Sequence, residues 1–395
     1  MCKEKLIELM DQNNTNEISS FLQNEPEFSV FRGNYLHEGN SAFTTIEPTI
    51  LTDLLMHSAK RIGAHQTVEN LYRILTAKEI SGFEILAING ITVENPINIT
   101  QNIRLIPFKD IPDSAHKARC NPLQMSAGFT LPFLPADYFT QRIYQEISNG
   151  RPMPTTQAAL ICPKNSRPVF IPKDIGNKTN IEEIETNQQT LLDIFQCLTL
   201  IGPCSPTVAA FWYQADEWVS SLFCANTSSA SISYDLTNHT ENMVTPEMGI
   251  KLGVIAQNFL ELKKETRQKL YIPIERLNRA RRRKAPVDKS IELGVAMESI
   301  FFDDDDTPGE LTFKLKLRAA WLLGKTHEER SNIMRLFGLL YKYRSKAVHN
   351  GKFTSKDNFN IEKFEEGSKL LAQAIEHIIL EKKWPNWTQL ILGDN

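Results

Sequence analysis

The sequence predicts an α+β N-terminal region with short antiparallel strands, followed by an all-α helical bundle. Three observations predict it. Short apolar runs, punctuated by turn residues, cluster between residues 83 and 172. From Pro246 onward, apolar residues recur at three-to-four spacing between helix starts and stops. Between them, Ala225 to Thr245 is rich in Ser, Thr and Asn and reads as a linker. The predicted division is an N-terminal region at 1–240, with a break near 180, and a helical domain at 246–395.

Residues 1–80 read mainly as polar, irregular sequence around short amphipathic segments, with Thr52 to His57 one candidate helical turn. Phe83 to Ile88 and Ile91 to Glu94 flank Asn89-Gly90, a dipeptide that favours a tight hairpin. Asn102 to Phe108 reads as a further strand, stopped by Pro107 and Pro112. Ala158 to Cys162 and Pro168 to Pro172 supply two more. The Pro-rich stretch between, roughly 107–157, carries no clear period.

Thr190 to Leu200 is apolar on most faces and predicts a buried helix ending before Gly202-Pro203. A helix is expected after Ser205-Pro206, carrying Phe211-Trp212-Tyr213 and Trp218 as core aromatics. In the C-terminal part, Pro286-Val287-Asp288 opens one helix and Gly324 ends another. Thr326-His327-Glu328-Glu329 is a capping box, in which Thr326 caps and Glu329 reaches back. The helix it starts carries an Ile333, Leu336, Phe337, Leu340 stripe, which Arg344 extends. A final helix turns Ile361, Phe364, Leu371, Ala374, Ile375 and Ile378 inward.

Composition bounds the function. A chain of 395 residues holds two or three domains, and 41% hydrophobic with 23% charged residues describes a globular protein. The net charge of −3 argues against a general nucleic-acid coat, so any such site is a local patch. No apolar run approaches a membrane span, and the first residues lack the hydrophobic core of a signal peptide. Six cysteines (Cys2, Cys120, Cys162, Cys197, Cys204, Cys224) form no CxxC pair, which predicts buried, reduced thiols in a cytoplasmic protein. The N-terminal half shows no Walker loop, GxSxG, HExxH or dinucleotide fingerprint that would signal an enzyme there.

The richest stretch is Leu339 to Gly351, which holds Arg344-Ser345-Lys346-Ala347-Val348-His349. Arginine stays charged and braces phosphate oxygens, while an imidazole moves protons near neutrality. Those two groups suffice for RNA cleavage without a metal: a base for the ribose 2′-OH, an acid for the leaving 5′-oxygen, and a cation on the transition state. Five helical steps at about 100° put Arg344 and His349 roughly 140° apart. Either the helix ends near Lys346, or the groups converge across an interface. A purely structural reading stands beside this one, with two cations favouring a helix C-terminus and Gly351 as its stop.

Two charge runs complete the reading. Arg276, Arg279, Arg281, Arg282, Arg283 and Lys284 are six cations in nine residues, either a solvated helix face or a track for an RNA backbone. Asp303 to Asp306 reads as a solvated turn and not as a metal site.

Four pieces in order carry a resemblance. They are Arg276 to Arg283, Asp288 to Phe301, Leu315 to Gly324, and the Arg344/His349 segment. Together, from about Ile272 to Leu380, they resemble the HEPN superfamily, most closely its ApeA-like branch from bacterial anti-phage defence. The resemblance covers a little over a quarter of the chain. It implies a HEPN-like helical bundle, a homodimer with two such motifs facing across a cleft, and a metal-independent endoribonuclease with Arg344 and His349 as catalytic residues. No cofactor is implied. The substrate would be RNA, tRNA among the candidates, and the role abortive infection, with the N-terminal region sensing a phage-derived trigger.

By the same resemblance Glu298 takes the place of the family's acidic residue and orients Arg344 or His349. Asn350 would fix the imidazole or contact ribose. The position after the arginine, commonly Asn, Asp or His in the family, is Ser345 here, which hydrogen-bonds but is no acid or base near neutrality. Arg279, Arg282, Arg283 and Lys346 would contact RNA. The alternative is a non-catalytic HEPN module that binds RNA, nucleotide or a partner protein.

Overall fold

The computed structural model describes residues 2–37, 43–111, 117, 120, 156–166, 169–172, 181–223, 231–232, 242–302, 310–353 and 359–393. The chain has an N-terminal α+β region containing antiparallel strands and a helical C-terminal region. It segregates into two compact units. The first comprises Met1–Ala87, Ile106–Gln189 and Val208–Tyr234; the second comprises Ile88–Leu105, Thr190–Thr207 and Asp235–Asn395. Residues 246–395 thus share the second unit with two segments from earlier in the chain.

In the first unit, residues 2–76 are largely helical, where the sequence suggested irregular structure. The helices are α1 (Cys2–Asp11), α2 (Thr15–Asn24), α3 (Ser29–Gly33), α4 (Pro48–Ile62) and α5 (Ala64–Thr76). The local signals are present but spaced for short helices. Asn14 caps α2 by accepting from the Glu17 N–H, Pro48 occupies the first turn of α4, and Gly63 ends it at φ 87°. Their apolar stripes meet in one cluster, with Leu6, Leu22, Phe28, Leu55, Leu71 and Ile74 buried together. Strand β1 (Asn34–His37) lies between β2 (Phe43–Thr45) and β8 (Phe170–Pro172), antiparallel to both.

A second sheet has the order β10-β9-β3-β7-β6, from β3 (Ile80–Asn89), β6 (Arg104–Pro107), β7 (Ala158–Ser166), β9 (Thr207–Ala215) and β10 (Ser231–Ile232). Here one expectation fails. Phe211, Trp212 and Tyr213 lie on strand β9 and not on a helix; only Trp218 is helical, on α7 (Glu217–Phe223). Almost every β9 side chain is buried, so the strand lacks the one-sided alternation that would have distinguished it. The aromatics are core residues, Trp212 against Phe108 with ring centroids 6.5 Å apart.

In the second unit, the Asn89-Gly90 turn does not close a hairpin. Gly90 adopts φ 84°, yet β4 (Ile91–Thr92) pairs in parallel with β11 (Asn242–Met243), a partner far along the chain. Strand β5 (Ile97–Asn98) pairs antiparallel with the start of β6. Helix α6 (Ile181–Cys197), which belongs to this unit from Thr190 onward, continues into a short 3-10 turn at Leu198–Leu200, as the run before Gly202-Pro203 predicted.

Among the described residues the helices that follow are α8 (Pro246–Leu260), α9 (Lys264–Arg282), α10 (Pro286–Phe301), α11 (Leu311–Leu323), α12 (His327–Asn350), α13 (Ile361–Glu381) and α14 (Trp387–Leu392). Helix α10 packs on α9 and α12, and α13 on α8, α9 and α12. The expected boundaries hold: Pro286 in the first turn of α10, Gly324 after α11, and the Thr326/Glu329 capping box on α12. Along α13, Phe364, Leu371, Ala374, Ile375 and Ile378 are buried, but Ile361 is 45% exposed because it sits in the helix's first turn, before packing begins.

The Asp303 to Asp306 run, Cys224, most of the 107–157 stretch and most of the proposed linker lie outside the described residues. The described cysteines are free thiols; Cys120, Cys162, Cys197 and Cys204 are buried and Cys2 is half-buried. Among the described residues no helix is long and apolar enough to cross a membrane.

Candidate functional site

Helix α12 runs unbroken from His327 to Asn350 and stops at Gly351, whose φ of 64° is the left-handed conformation that ends helices. An ending near Lys346 is thereby excluded. Arg344 and His349 stand on one regular helix, about 140° apart in azimuth and about 7.5 Å apart along the axis. Within one chain they do not converge on a common face.

Arg344 points inward. Its stem crosses α10 at Gly294, where an added Cβ would lie 2.1 Å from the arginine Cγ. Only a residue without a side chain admits it there. One turn further along α10, Glu298 receives the guanidinium: Nη2 lies 3.0 Å from one carboxylate oxygen and 3.2 Å from the other. The Tyr341 hydroxyl, one turn before Arg344, donates to the same carboxylate at 3.0 Å, and its ring lies 5.7 Å from the guanidinium carbon. Burial, then the Glu298 charge, raise the Tyr341 pKa against a lowering by Arg344, so the phenol stays a donor. The guanidinium is therefore held from two sides.

That grip leaves donors unused. Arg344 Nε is buried without a hydrogen-bond partner, and Nη1 has none among the described residues. The ion pair itself is three-quarters buried on either side, so it is better shielded than a surface pair but not sealed from water.

His349 faces the other way. It is exposed, as are Val348 and Asn350, and makes no hydrogen bond or ion pair among the described residues. Ser345 and Lys346 are half-buried. Of the residues singled out from the sequence, the structure brings together Arg344 and Glu298. It does not bring His349 or Asn350 to them. Tyr341 and Gly294 were missed, although Gly294 and Glu298 at i and i+4 on α10, and Tyr341 and Arg344 at i and i+3 on α12, carry the signal.

The basic run on α9 divides by helical phase. Arg281 turns into the unit and donates to the carbonyls of Gly202 (2.8 Å), Cys204 (3.1 Å), Thr199 and Ser368. Arg276 and Arg283 pair with the buried Glu292 at 2.9 and 3.4 Å. Arg279 pairs with Glu275, and Arg282 donates to Asn278 at 3.0 Å. Much of this charge is engaged in helix packing.

Among the described residues, no group of three or more His, Cys, Asp or Glu side chains is placed to hold a metal ion. No family model matches the chain, and neither a curated protein nor a solved structure matches it.

Proposed function

We propose that the chain is a metal-independent endoribonuclease whose site forms across a homodimer, Arg344 of one chain working with His349 of the other. One observation carries the reading: Arg344 is gripped by Glu298 and Tyr341 with donors to spare, while His349 is presented outward on the same helix. A single structural clip would account for the arginine but not for the pairing of a fixed cation with an outward imidazole.

In this reading His349 removes the 2′-hydroxyl proton, the 2′-oxygen bonds to phosphorus, and the P–O5′ bond breaks. The leaving 5′-oxygen takes up a proton, which gives a 2′,3′-cyclic phosphate and a 5′-hydroxyl. Arg344 Nη1 braces the nonbridging oxygens as charge builds on them. The His349 imidazolium returns its proton through water to the leaving oxygen, and the two copies of the motif form two equivalent sites per dimer. Ser345, Lys346 and Asn350 flank the phosphate path, and Arg279, Arg282 and Arg283 lend affinity that falls as salt rises. The HEPN, ApeA-like kinship, the anti-phage role and a phage-derived trigger sensed by the N-terminal region belong to this same proposal.

The second reading is a non-catalytic HEPN module. It draws on the Glu298 carboxylate, which already neutralises much of the Arg344 charge.

The test is cleavage of total RNA and tRNA in EDTA by wild type, R344A and H349A, with and without phage lysate. Wild type cuts and leaves cyclic phosphate ends; each single variant is inactive. Mixing the two inactive variants separates the geometries. A site shared between chains is restored in mixed dimers, to roughly a quarter of wild-type activity after random exchange, whereas a site within one chain stays dead. No cleavage by wild type under any condition refutes the nuclease and leaves the binding module.

A further inference from the structure

Helix α12 turns one sign of charge to solvent. From Ser331 to Lys352 the sequence holds five Lys or Arg residues and no Asp or Glu, although the whole chain carries 47 acidic against 44 basic residues. Arg344 leaves that set by turning to Glu298, and Lys352 lies beyond the helix end. Arg335, Lys342 and Lys346 remain, with His349. At about 100° per residue all four fall within about 60° of azimuth, in a row about 21 Å long.

Arg335, Lys342 and His349 are exposed and Lys346 is half-buried. The contacts of α12 with α10 and α13 lie elsewhere on the helix, with Arg344 at Gly294 and Leu340 at Gly367. Gly338 borders the row, and Lys316 of α11 lays its stem there, Cδ 2.9 Å from where a Cβ would stand. Lys316 and Lys342 make no hydrogen bond or ion pair among the described residues, and Arg335 bonds only Asn332. On the adjoining helices Glu298 is engaged by Arg344, Glu310 by Lys314 at 3.6 Å and Glu366 by Lys363 at 2.7 Å.

A helix face that only meets water mixes signs at three- and four-residue spacing. Here Lys342 and Lys346, four residues apart, oppose one another, and like charges at that spacing destabilise a helix. The row weakens α12 unless an anion answers it.

We propose that this row is the track for a single-stranded RNA backbone, which runs from Arg335 past Lys342 and Lys346 to His349. A row one side chain wide fits one backbone. An RNA duplex presents two, and its narrow major groove does not admit the helix. A second copy of the same face would set like charges against each other. The choice of RNA, and of His349 as the end of the track, rests on the ribonuclease reading; the demand for a polyanion rests on the row alone.

The probe is a short fluorescein-labelled oligouridylate with 2′-fluoro sugars, which lacks the 2′-hydroxyl and stays uncut. Its anisotropy is followed with the full chain, and circular dichroism confirms that each variant is folded. R335Q and K342Q each weaken binding about three- to fivefold, the scale of one exposed charge pair. The double variant weakens it about ten- to twentyfold, and the slope of log affinity against log salt falls by about 0.7 for each cation removed. K383Q, at an exposed lysine outside the row, leaves binding unchanged. A duplex of the same length binds more weakly. No binding by wild type, a double variant that binds like wild type, a loss as large in K383Q, or equal affinity for the duplex overturns the track. On cleavable RNA the double variant raises KM more than it lowers kcat. If wild type cuts RNA and the double variant binds and cuts like it, the track falls and the nuclease stands. If the probe binds through the row and wild type never cuts, the nuclease falls and the track stands.

Discussion

Replacing Gly294 with alanine should loosen the second unit by a small, calculable amount and displace Arg344. The added Cβ would sit 2.1 Å from Arg344 Cγ and 2.7 Å from Arg344 Cβ. Carbon atoms prefer about 3.5–4.0 Å. Cγ can swing aside, but Cβ is fixed to the α12 backbone, so α10 and α12 must separate by about 1 Å. Overpacking of that kind costs about 1–3 kcal/mol. Alanine returns about 1 kcal/mol of helix propensity over glycine. The net loss is about 1 kcal/mol, rising toward 2 if the Glu298 ion pair is also stretched. Urea unfolding of wild type and G294A, read by circular dichroism at 222 nm, measures it. R344A in the G294A background removes the Cγ clash but not the Cβ one, so part of the loss returns as a coupling of about 0.5–1 kcal/mol. A G294A chain as stable as wild type or more so, with no coupling to R344A, would refute this account of the α10–α12 contact. If the proposed ribonuclease reading holds, the same variant should also depress RNA cleavage, since it moves the guanidinium off Glu298.

Two further outcomes follow from the chemistry of single groups. The backbone N–H groups of Lys325 and Thr326 bond the Glu329 carboxylate at 2.7 and 3.1 Å and hold its pKa below the ordinary 4.5. A carboxyl depressed in the folded state contributes stability that is full above its unfolded pKa and lost as pH falls through the folded one. The Tm difference between wild type and E329A should therefore be present at pH 7 and shrink below about pH 4.5; a difference that is flat with pH contradicts the capping role. Burial pushes the Cys204 thiol up to about 11 and that of Cys197 higher still. At pH 8 iodoacetamide should label Cys2 before Cys197 and Cys204, which it reaches only on unfolding, as read by peptide mass; early labelling of Cys197 would contradict its burial.

What was legible in the sequence was local. The capping box at Thr326 and Glu329, Pro286 in the first turn of α10 and Gly351 after α12 each act within one turn of backbone, so residue type and spacing suffice. The Asn89-Gly90 turn shows the limit. Gly90 does take a positive φ, but a hairpin also needs a facing strand, and Ile91 and Thr92 find theirs at Asn242 and Met243. No short-range pattern encodes that partner. Strand β9 fails for a different reason, since burial on both faces erases the period that separates strand from helix. The short helices of residues 2–76 failed for a third: their caps are present, but ten-residue helices draw stability from tertiary burial more than from propensity.

The candidate site divides along the same line. Glu298 was expected beside Arg344 or His349, and the structure pairs it with Arg344, a non-local contact that spacing along the chain cannot give. The α9 arginines were read as one patch, yet a helix turns about 100° per residue and sends neighbours to different environments. Arg281 enters the interior while Arg283, two residues on, reaches Glu292 from an exposed position. Five of the six cations in the run thus make separate short-range contacts, and Lys284 is exposed.

The five-residue separation of Arg344 and His349 constrains function more than either residue alone. On an unbroken helix it fixes one group toward α10 and the other toward solvent, and Gly351 closes the helix too late for a bend to reunite them. A chain by itself therefore offers a phosphate either the cation or the imidazole. If the proposed nuclease is correct, completing the site is an association step, and activity per chain must rise with concentration until dimers saturate. Whatever controls that association controls cleavage, which gives a toxic nuclease a means of restraint that requires no change in Arg344, His349 or the grip of Glu298 and Tyr341.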